Sequence, residues 1–368
     1  MIIQFVLPFL TLTGGVRLVF EQARGLRARG HQVRLLVPHP QPPAWTPGAT
    51  WLRGWKHFLR ERWDARIVEG TRRYELLDSV VRFDPRRLED VPNGDAAVAT
   101  AWETAEWLHH MPGDVGRKHY YLLGYEVWNE AIRPRVEATW KLPLRKIAVA
   151  HWLAQVAREK YGQKVLAIVP SGVDLDRFRP DAALRGSRPT VGMLYDPSPW
   201  KGAADGIEAM RQVIAQEPDV GLQLFGRSRR RHELPRGARW LGGLSEEALP
   251  SAYQTSDVFL CPSYSEGFSL LTLEAMACGA ALVATEVGEV PFMGRPGTEY
   301  LMVPPADPAA LSSAVLKLLR DPELRRSVSS AGQQLAGSYT WERSVSLMEQ
   351  VLCQVRDDDG GTATTNIP

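Results

Sequence analysis

Ser263-Tyr-Ser-Glu266-Gly267-Phe268-Ser269-Leu270-Leu-Thr-Leu-Glu274-Ala-Met-Ala-Cys-Gly279 follows directly on an apolar run, Val258-Phe-Leu-Cys-Pro262. The run reads as the end of a buried strand, the polar segment as a Gly-containing loop, and the rest as a short apolar helix closed by Gly279. A helix launched from a strand's carboxyl end aims its unpaired N–H groups into the crevice there, and that partial positive charge seats a phosphate. Glu266 lies in the loop and Glu274 on the helix. A phosphate repels carboxylates, so the two glutamates must grip something else, and sugar hydroxyls are suitable donors. Glu274 stands alone among Leu271, Leu273, Ala275 and Met276, and a lone carboxylate on an apolar helix needs a partner. The plainer alternative is a surface glutamate.

Upstream, the same strand–loop–helix pattern occurs as Thr190-Val-Gly-Met-Leu194, a loop from Tyr195 to Gly202, and a helix from Ala203 to Gln216. Lys201 precedes Gly202 at that helix's start, where a cation can meet an anion already held by N–H groups. The strand ending at Phe225 runs into Arg227-Ser-Arg-Arg-Arg231, of which Arg227 alone sits at a strand end. Residues 1–40 form a β-α-β unit, which requires a parallel sheet. Its helix starts at Gly14-Gly15, where backbone can approach a ligand, and Arg17, Glu21, Arg24 and Arg27 take its wet face. The Gly pair is not GxGxxG, so a nicotinamide enzyme has no support. Two further strands lead into Trp102-Glu103-Thr104 and Tyr125-Glu126-Val-Trp128. Strand ends in a parallel sheet face the crevice, so Trp102, Tyr125 and Trp128 are candidates to stack on a sugar ring, and Glu103 and Glu126 to accept its hydroxyls. Core packing is the simpler reading for any one of them.

Composition bounds the class. With 368 residues, 44% hydrophobic and 23% charged, the chain has material for two cores of ordinary soluble character. No apolar run approaches the roughly 20 residues that span a bilayer. The opening Met1-Ile-Ile-Gln-Phe-Val reads as a strand rather than a signal peptide. Three scattered cysteines make neither a disulfide framework nor a zinc site, which points to the cytoplasm. The net charge of +2 hides an asymmetry: residues 1–183 carry 27 Lys and Arg against 20 Asp and Glu, and the remainder 17 against 22. A basic first half fits an anionic partner, though arginine-rich composition explains it equally well. In residues 51–67, Trp51, Trp55, Phe58, Leu59 and Trp63 share one helical face flanked by basic residues. That pattern suits peripheral contact with an anionic membrane, and more simply packing on its own domain. Polar residues from Asp181 to Arg188 read as a linker between two doubly wound units, and the tail from Asp357 is too polar to pack.

With these motifs in order, the chain resembles the group 1 glycosyltransferases, family 4, which are retaining enzymes of the GT-B fold. The resemblance rests on Glu266-x7-Glu274 with Ala275-Met-Ala-Cys-Gly279 after it, on Ile168-Val-Pro-Ser-Gly-Val-Asp174, on Lys201-Gly202 and on Gly14-Gly15. It implies two Rossmann-like α/β domains across a cleft: an acceptor-side domain at 1–183 and a nucleotide-sugar domain at 184–338. A last helix at 339–356 would cross back to the first, with a disordered tail at 357–368. Glu274 would take ribose hydroxyls and Glu266 the donor sugar. The backbone amides of Gly267, Phe268, Ser269 and Leu270 would surround sugar and diphosphate, and Gly14 and Gly15 would complete the seat. Lys201 would neutralise the leaving diphosphate, with Arg227 near the base or diphosphate. Catalysis would fall to Glu266 and Lys201, with no metal and no cofactor. The donor would be a nucleotide-diphosphate sugar and the acceptor a glycan or lipid-linked hydroxyl, handled at the inner face of the membrane, with no nucleic acid involved.

Three positions depart from the family pattern. Met193-Leu194-Tyr195-Asp196 stands where an arginine is usual, Thr100-Ala-Trp102-Glu103-Thr104 where a histidine is usual, and Ser171-Gly172 where Asn-Gly is usual. Trp102-Glu103-Thr104, Tyr125-Glu126 and Trp200-Lys201-Gly202 resemble rhamnosyltransferases of bacterial surface glycans. A sugar-nucleotide epimerase of the same fold and a non-catalytic nucleotide-sugar-binding partner are the alternatives.

Overall fold

The computed structural model describes residues 1–39, 71–227 and 233–354. The aromatic stretch 51–67, the arginines at 229–231 and the tail 357–368 lie outside the described residues. Short apolar runs alternate with amphipathic stretches, and the runs assemble into two sheets in which every pairing is parallel. The first holds β1 (Ile2–Val6), β2 (Gln32–Pro38), β3 (Val80–Phe83), β4 (Ala96–Ala99), β5 (Arg117–Leu122), β6 (Arg145–Ala148) and β7 (Val165–Ile168), in the order β3-β2-β1-β4-β5-β6-β7. The second holds β8 (Thr190–Leu194), β9 (Gly221–Phe225), β10 (Arg239–Trp240), β11 (Val258–Cys261), β12 (Ala281–Thr285) and β13 (Leu301–Val303), in the order β10-β9-β8-β11-β12-β13. The central strands β4, β11 and β12 are buried along their whole length, as parallel strands covered on both faces must be.

In each sheet the strand order reverses once, between β1 and β4 and between β8 and β11. A parallel sheet opens a crevice at the carboxyl ends of the strands flanking such a reversal. Most of the candidate residues read from the sequence lie in or just past the loops after β1, β4, β8 and β11, with Tyr125 and Glu126 after β5 and Arg227 after β9. The first four of these loops lead into α1 (Gly14–Ala28), α2 (Trp102–His110), α5 (Ala203–Gln216) and α7 (Leu270–Ala277); α3 (Arg133–Trp140) and α4 (His151–Tyr161) follow β5 and β6.

The expectation that Arg17 and Glu21 lie on a wet face of α1 is overturned. Both are largely buried, because that side of the helix is covered by the second domain and by Tyr74, whose ring meets Phe20 at 5.5 Å. After α9 (Pro308–Arg320) and α10 (Pro322–Gly337), α11 (Trp341–Cys353) lies along α1 of the first domain. Gln22 donates to Ser344 at 2.6 Å, and Arg29 and His31 both reach Glu349. A Cβ on Gly25 would fall 2.4 Å from Val345, so glycine is what lets the two helices approach.

Candidate active site

The second domain supplies a compact group of charged side chains. Lys201 ends a short 3-10 turn, Pro199–Lys201, and Gly202 follows at φ 61°, in the left-handed region. A Cβ there would sit 1.9 Å from the carbonyl oxygen of Pro262, so only glycine lets this turn lie against the end of β11. The Trp200 carbonyl accepts from the backbone N–H groups of Tyr264 (2.7 Å) and Ser265 (3.2 Å), tying the two loops together. Lys201 Nζ consequently lies 2.7 Å from Glu266 Oε1, which also accepts from Ser263 Oγ at 2.6 Å. Burial alone would lower the Lys201 pKa, but the adjoining Glu266 carboxylate outweighs it and raises the value, keeping the ammonium charged.

Glu274 is buried on α7 and does have partners. Tyr253 donates to its Oε2 at 2.9 Å, and Arg17 of the first domain makes a short ion pair with its Oε1. Gly267 is pressed against the first domain, where a Cβ would meet the Leu123 carbonyl oxygen at 2.1 Å, and its own carbonyl accepts from Trp152 Nε1 at 2.7 Å. Phe268 turns into the core against Tyr339, leaving only its backbone to face a ligand. Ser269 precedes α7 at φ 76°, a strained position for a residue with a side chain, and its buried Oγ has no hydrogen-bond partner. Strain of that kind is found where a backbone is held for a ligand. Gly14 opens α1 opposite: a Cβ on it would just touch Leu270, the first residue of α7, and one on Gly15 would meet Leu123 at 3.4 Å. Two helix N-termini therefore face one another across the cleft. Arg227, exposed at the end of β9, donates to the Leu12 carbonyl at 3.2 Å in the loop before α1. Met193 and Tyr195 are buried, so that segment offers no cation to the site.

Trp102, Tyr125 and Glu126, on the acceptor side, are held by partners within the first domain. Glu126 accepts from the Trp102 backbone N–H at 3.0 Å and so caps α2, and the Trp102 ring is covered by the Arg135 guanidinium at 4.9 Å. The Tyr125 hydroxyl is engaged by Glu137 (3.1 Å) and Tyr161 (2.7 Å), and its ring packs edge-on against Trp140. Trp128 is the aromatic of the three that reaches the second domain, half exposed and stacked on Trp200 at 5.3 Å. Burial raises the carboxyl pKa of Glu103. Burial likewise pushes Glu126 up to about 7, with the Trp102 N–H opposing and Glu103 adding to the rise.

Since unfolded Glu126 releases its proton near pH 4.5, the folded state loses stability as pH rises from there through about 7. Glu126→Gln keeps an acceptor for the Trp102 N–H and removes the charge. It should leave thermal stability at pH 4 unchanged and raise it at pH 8 by roughly 1–2 kcal/mol, less than the full shift would give because the residue is partly exposed. Equal effects at both pH values would refute this.

The sequence did not point to Arg17, Tyr253 or Ser263, nor to the pair formed by His151 and Glu289. Glu289 accepts from the His151 backbone N–H at 2.7 Å and lies 2.6 Å from its Nδ1, joining the start of α4 to the second domain. Ser263 lies in the loop that was singled out, and Arg17 falls three residues past Gly14; only position hinted at either.

Residues 189–321 match the sequence model of the family described as Glycosyl transferases group 1. D-inositol 3-phosphate glycosyltransferase of Geodermatophilus obscurus is 26% identical, over 78% of this chain and 76% of its own. Phosphatidyl-myo-inositol mannosyltransferase of Mycobacterium leprae is 28% identical, over 89% and 90%. Among solved structures, sucrose-phosphate synthase of Thermosynechococcus elongatus superposes with a TM-score of 0.71 at 20% identity, covering 95% of this chain and 98% of that one. Anabaena HepE in complex with UDP and glucose does so with 0.75 at 16%, covering 96% and 99%. The two-domain fold is thus that of GT-B, and the similarities in sequence are those of a glycosyltransferase. The named relatives lend no support to a closer tie with rhamnosyltransferases.

Proposed function

We propose that this enzyme transfers a hexose or deoxyhexose from a nucleoside diphosphate to a glycan or lipid-linked hydroxyl, with retention of anomeric configuration and with neither metal nor cofactor. The observation that carries the reading is the Lys201–Glu266 pair beside the start of α7, with buried Glu274 about one turn further along that helix. Glu274 accepts the ribose hydroxyls. Glu266 orients the donor sugar, and the N–H groups of residues 267–270 with the Ser269 hydroxyl surround sugar and diphosphate. As the glycosidic C–O bond breaks, negative charge develops on the diphosphate, and Lys201 with the two helix N-termini stabilises it. The acceptor oxygen bonds to the anomeric carbon on the face from which the phosphate departs and gives its proton to the leaving phosphate oxygen, and attack on that face is what retention requires. Lys201 supplies the charge that a divalent cation provides elsewhere.

A lipid-linked acceptor is supported by the relatives, one of them a mannosyltransferase of Mycolicibacterium smegmatis named for phosphatidylinositol monomannoside. No helix among the described residues is long and apolar enough to cross a membrane. Work at the cytoplasmic face of a membrane is therefore proposed as peripheral, and the stretch 51–67 is the segment to test for contact.

The deciding experiment is a thermal-shift panel with UDP, GDP and TDP on the wild type and on Glu274→Ala. A ligand at 100 times its Kd adds about 2.7 kcal/mol. One diphosphate should raise the wild-type Tm, and Glu274→Ala should abolish the shift. A wild type that responds to none of the three would refute the donor site.

A further inference from the structure

Glu274 is held on both carboxylate oxygens, and the two holders come from different domains. Tyr253, on α6 (Leu249–Gln254), belongs to the same domain as Glu274. Arg17 belongs to the other, 257 residues earlier in the chain. The guanidinium is sunk into the domain interface: it lies over the Phe178 ring at 5.6 Å, its Nε is buried without a partner, and its side chain is 11% exposed. Glu246 and Tyr74 are the other ionisable groups facing Arg17, and Cys278 joins Arg17 and Tyr253 around Glu274. A buried arginine is costly unless it is paired, and a long flexible side chain would not be ordered at a domain boundary without return.

We propose that Arg17 is the residue that positions Glu274 for the ribose, so that the nucleotide site is complete only when the first domain is closed on the second. This rests on the assignment of Glu274 to the ribose made above. A carboxylate oxygen accepts two hydrogen bonds. With one lone pair on Oε1 directed to Arg17 and one on Oε2 to Tyr253, a lone pair remains on each oxygen for the paired hydroxyls of a ribose. The two anchors fix the rotation of the carboxylate, and the guanidinium offsets its charge in a buried site. Arg17 itself does not touch the nucleotide; it acts through Glu274.

The test is a double-mutant cycle on the full-length protein. Binding of whichever of UDP, GDP and TDP stabilises the wild type would be measured by calorimetry for Arg17→Gln, Glu274→Gln, the double variant and Arg17→Lys. Each single Gln variant should weaken binding about ten- to a hundredfold, the range for a lost hydrogen bond to a charged group. The double variant should be no weaker than the worse single one, and Arg17→Lys should recover part of the loss. Additive losses would mean that Arg17 binds nucleotide directly, and tighter binding by Arg17→Gln would mean that it competes with the ribose; either overturns the proposal. Should Glu274→Gln weaken binding while Arg17→Gln does not, this inference alone fails. Should Glu274→Gln bind normally, the ribose assignment fails with it. If Arg17→Gln does not fold because Glu274 is left unpaired, the double variant removes both charges. Comparing it with Glu274→Gln and Arg17→Lys still decides the question: binding by Arg17→Lys no better than by the double variant overturns the proposal.

Discussion

Lys201→Ala should lower kcat by roughly two to three orders of magnitude, the usual loss when a donor that faces developing charge is removed. The side chain lies between two loops held by the Trp200 carbonyl, and Gly202 lets its turn rest on Pro262. The ammonium thus waits in position, and little reorganisation is needed as the diphosphate leaves. KM for the donor should change less than kcat, because charge on the diphosphate is greatest in the transition state. One complication is foreseeable. Without Lys201, Glu266 keeps only the Ser263 hydroxyl, and a buried carboxylate stripped of its counter-charge destabilises a fold by about 3–5 kcal/mol. Lys201→Met combined with Glu266→Gln removes both charges and should melt closer to the wild type while remaining inactive. Steady-state kinetics of both variants, alongside thermal melts, check this; a kcat within tenfold of wild type in a folded variant would remove Lys201 from the chemistry.

Gly267→Ala should abolish most transfer for a different reason. Its added methyl would sit 2.1 Å from the Leu123 carbonyl, a backbone atom that cannot rotate aside. Either the loop carrying Glu266 retreats or the two domains stay apart. A displacement of about 1 Å at the reacting centre can cost a hundredfold in rate, and a loss of at least that size in kcat/KM is expected. The clash lies between domains rather than inside one, so each core should stay intact and the Tm should fall by only a few degrees. Retention of full activity, or wholesale unfolding, would show that Gly267 does something else.

What could be read from the sequence was whatever depends on near neighbours. The strand, loop and helix around Glu266 and Glu274 lie within one local unit, and Lys201-Gly202 declares itself because a cation before glycine at a helix start has few structural uses. Both sheets and their parallel sense follow from alternating apolar runs and amphipathic helices. What could not be read is what closes the cleft. The helical period shows that Arg17 lies off the apolar stripe of α1, but it cannot show that a second domain rather than water covers that side. The same limit applies to Trp128 on Trp200, Trp152 on the Gly267 carbonyl and His151 on Glu289, each of which joins residues of separate domains. Aromatic residues at strand ends were expected to stack on a sugar, yet Trp102 is shielded by Arg135 and the Tyr125 hydroxyl is taken by Glu137 and Tyr161. Strand ends tell which edge a side chain occupies, not which neighbours reach it first.

The chain passes between the domains twice, once between β7 and β8 and once between α10 and α11, and the two passages are joined. Val173 pairs with Thr340 in a parallel bridge and donates to the Tyr339 carbonyl at 2.8 Å, while a Cβ on Gly172 would strike the Trp341 backbone. Two straps stitched side by side behave as the spine of a book. They resist swivelling and sliding and leave one easy motion, in which the covers part along the edge farthest from the spine. Arg17, Trp128 and His151 ride on one cover, with Glu274, Trp200 and Glu289 on the other. A substrate that prises the covers open must release all three pairs in the same stroke.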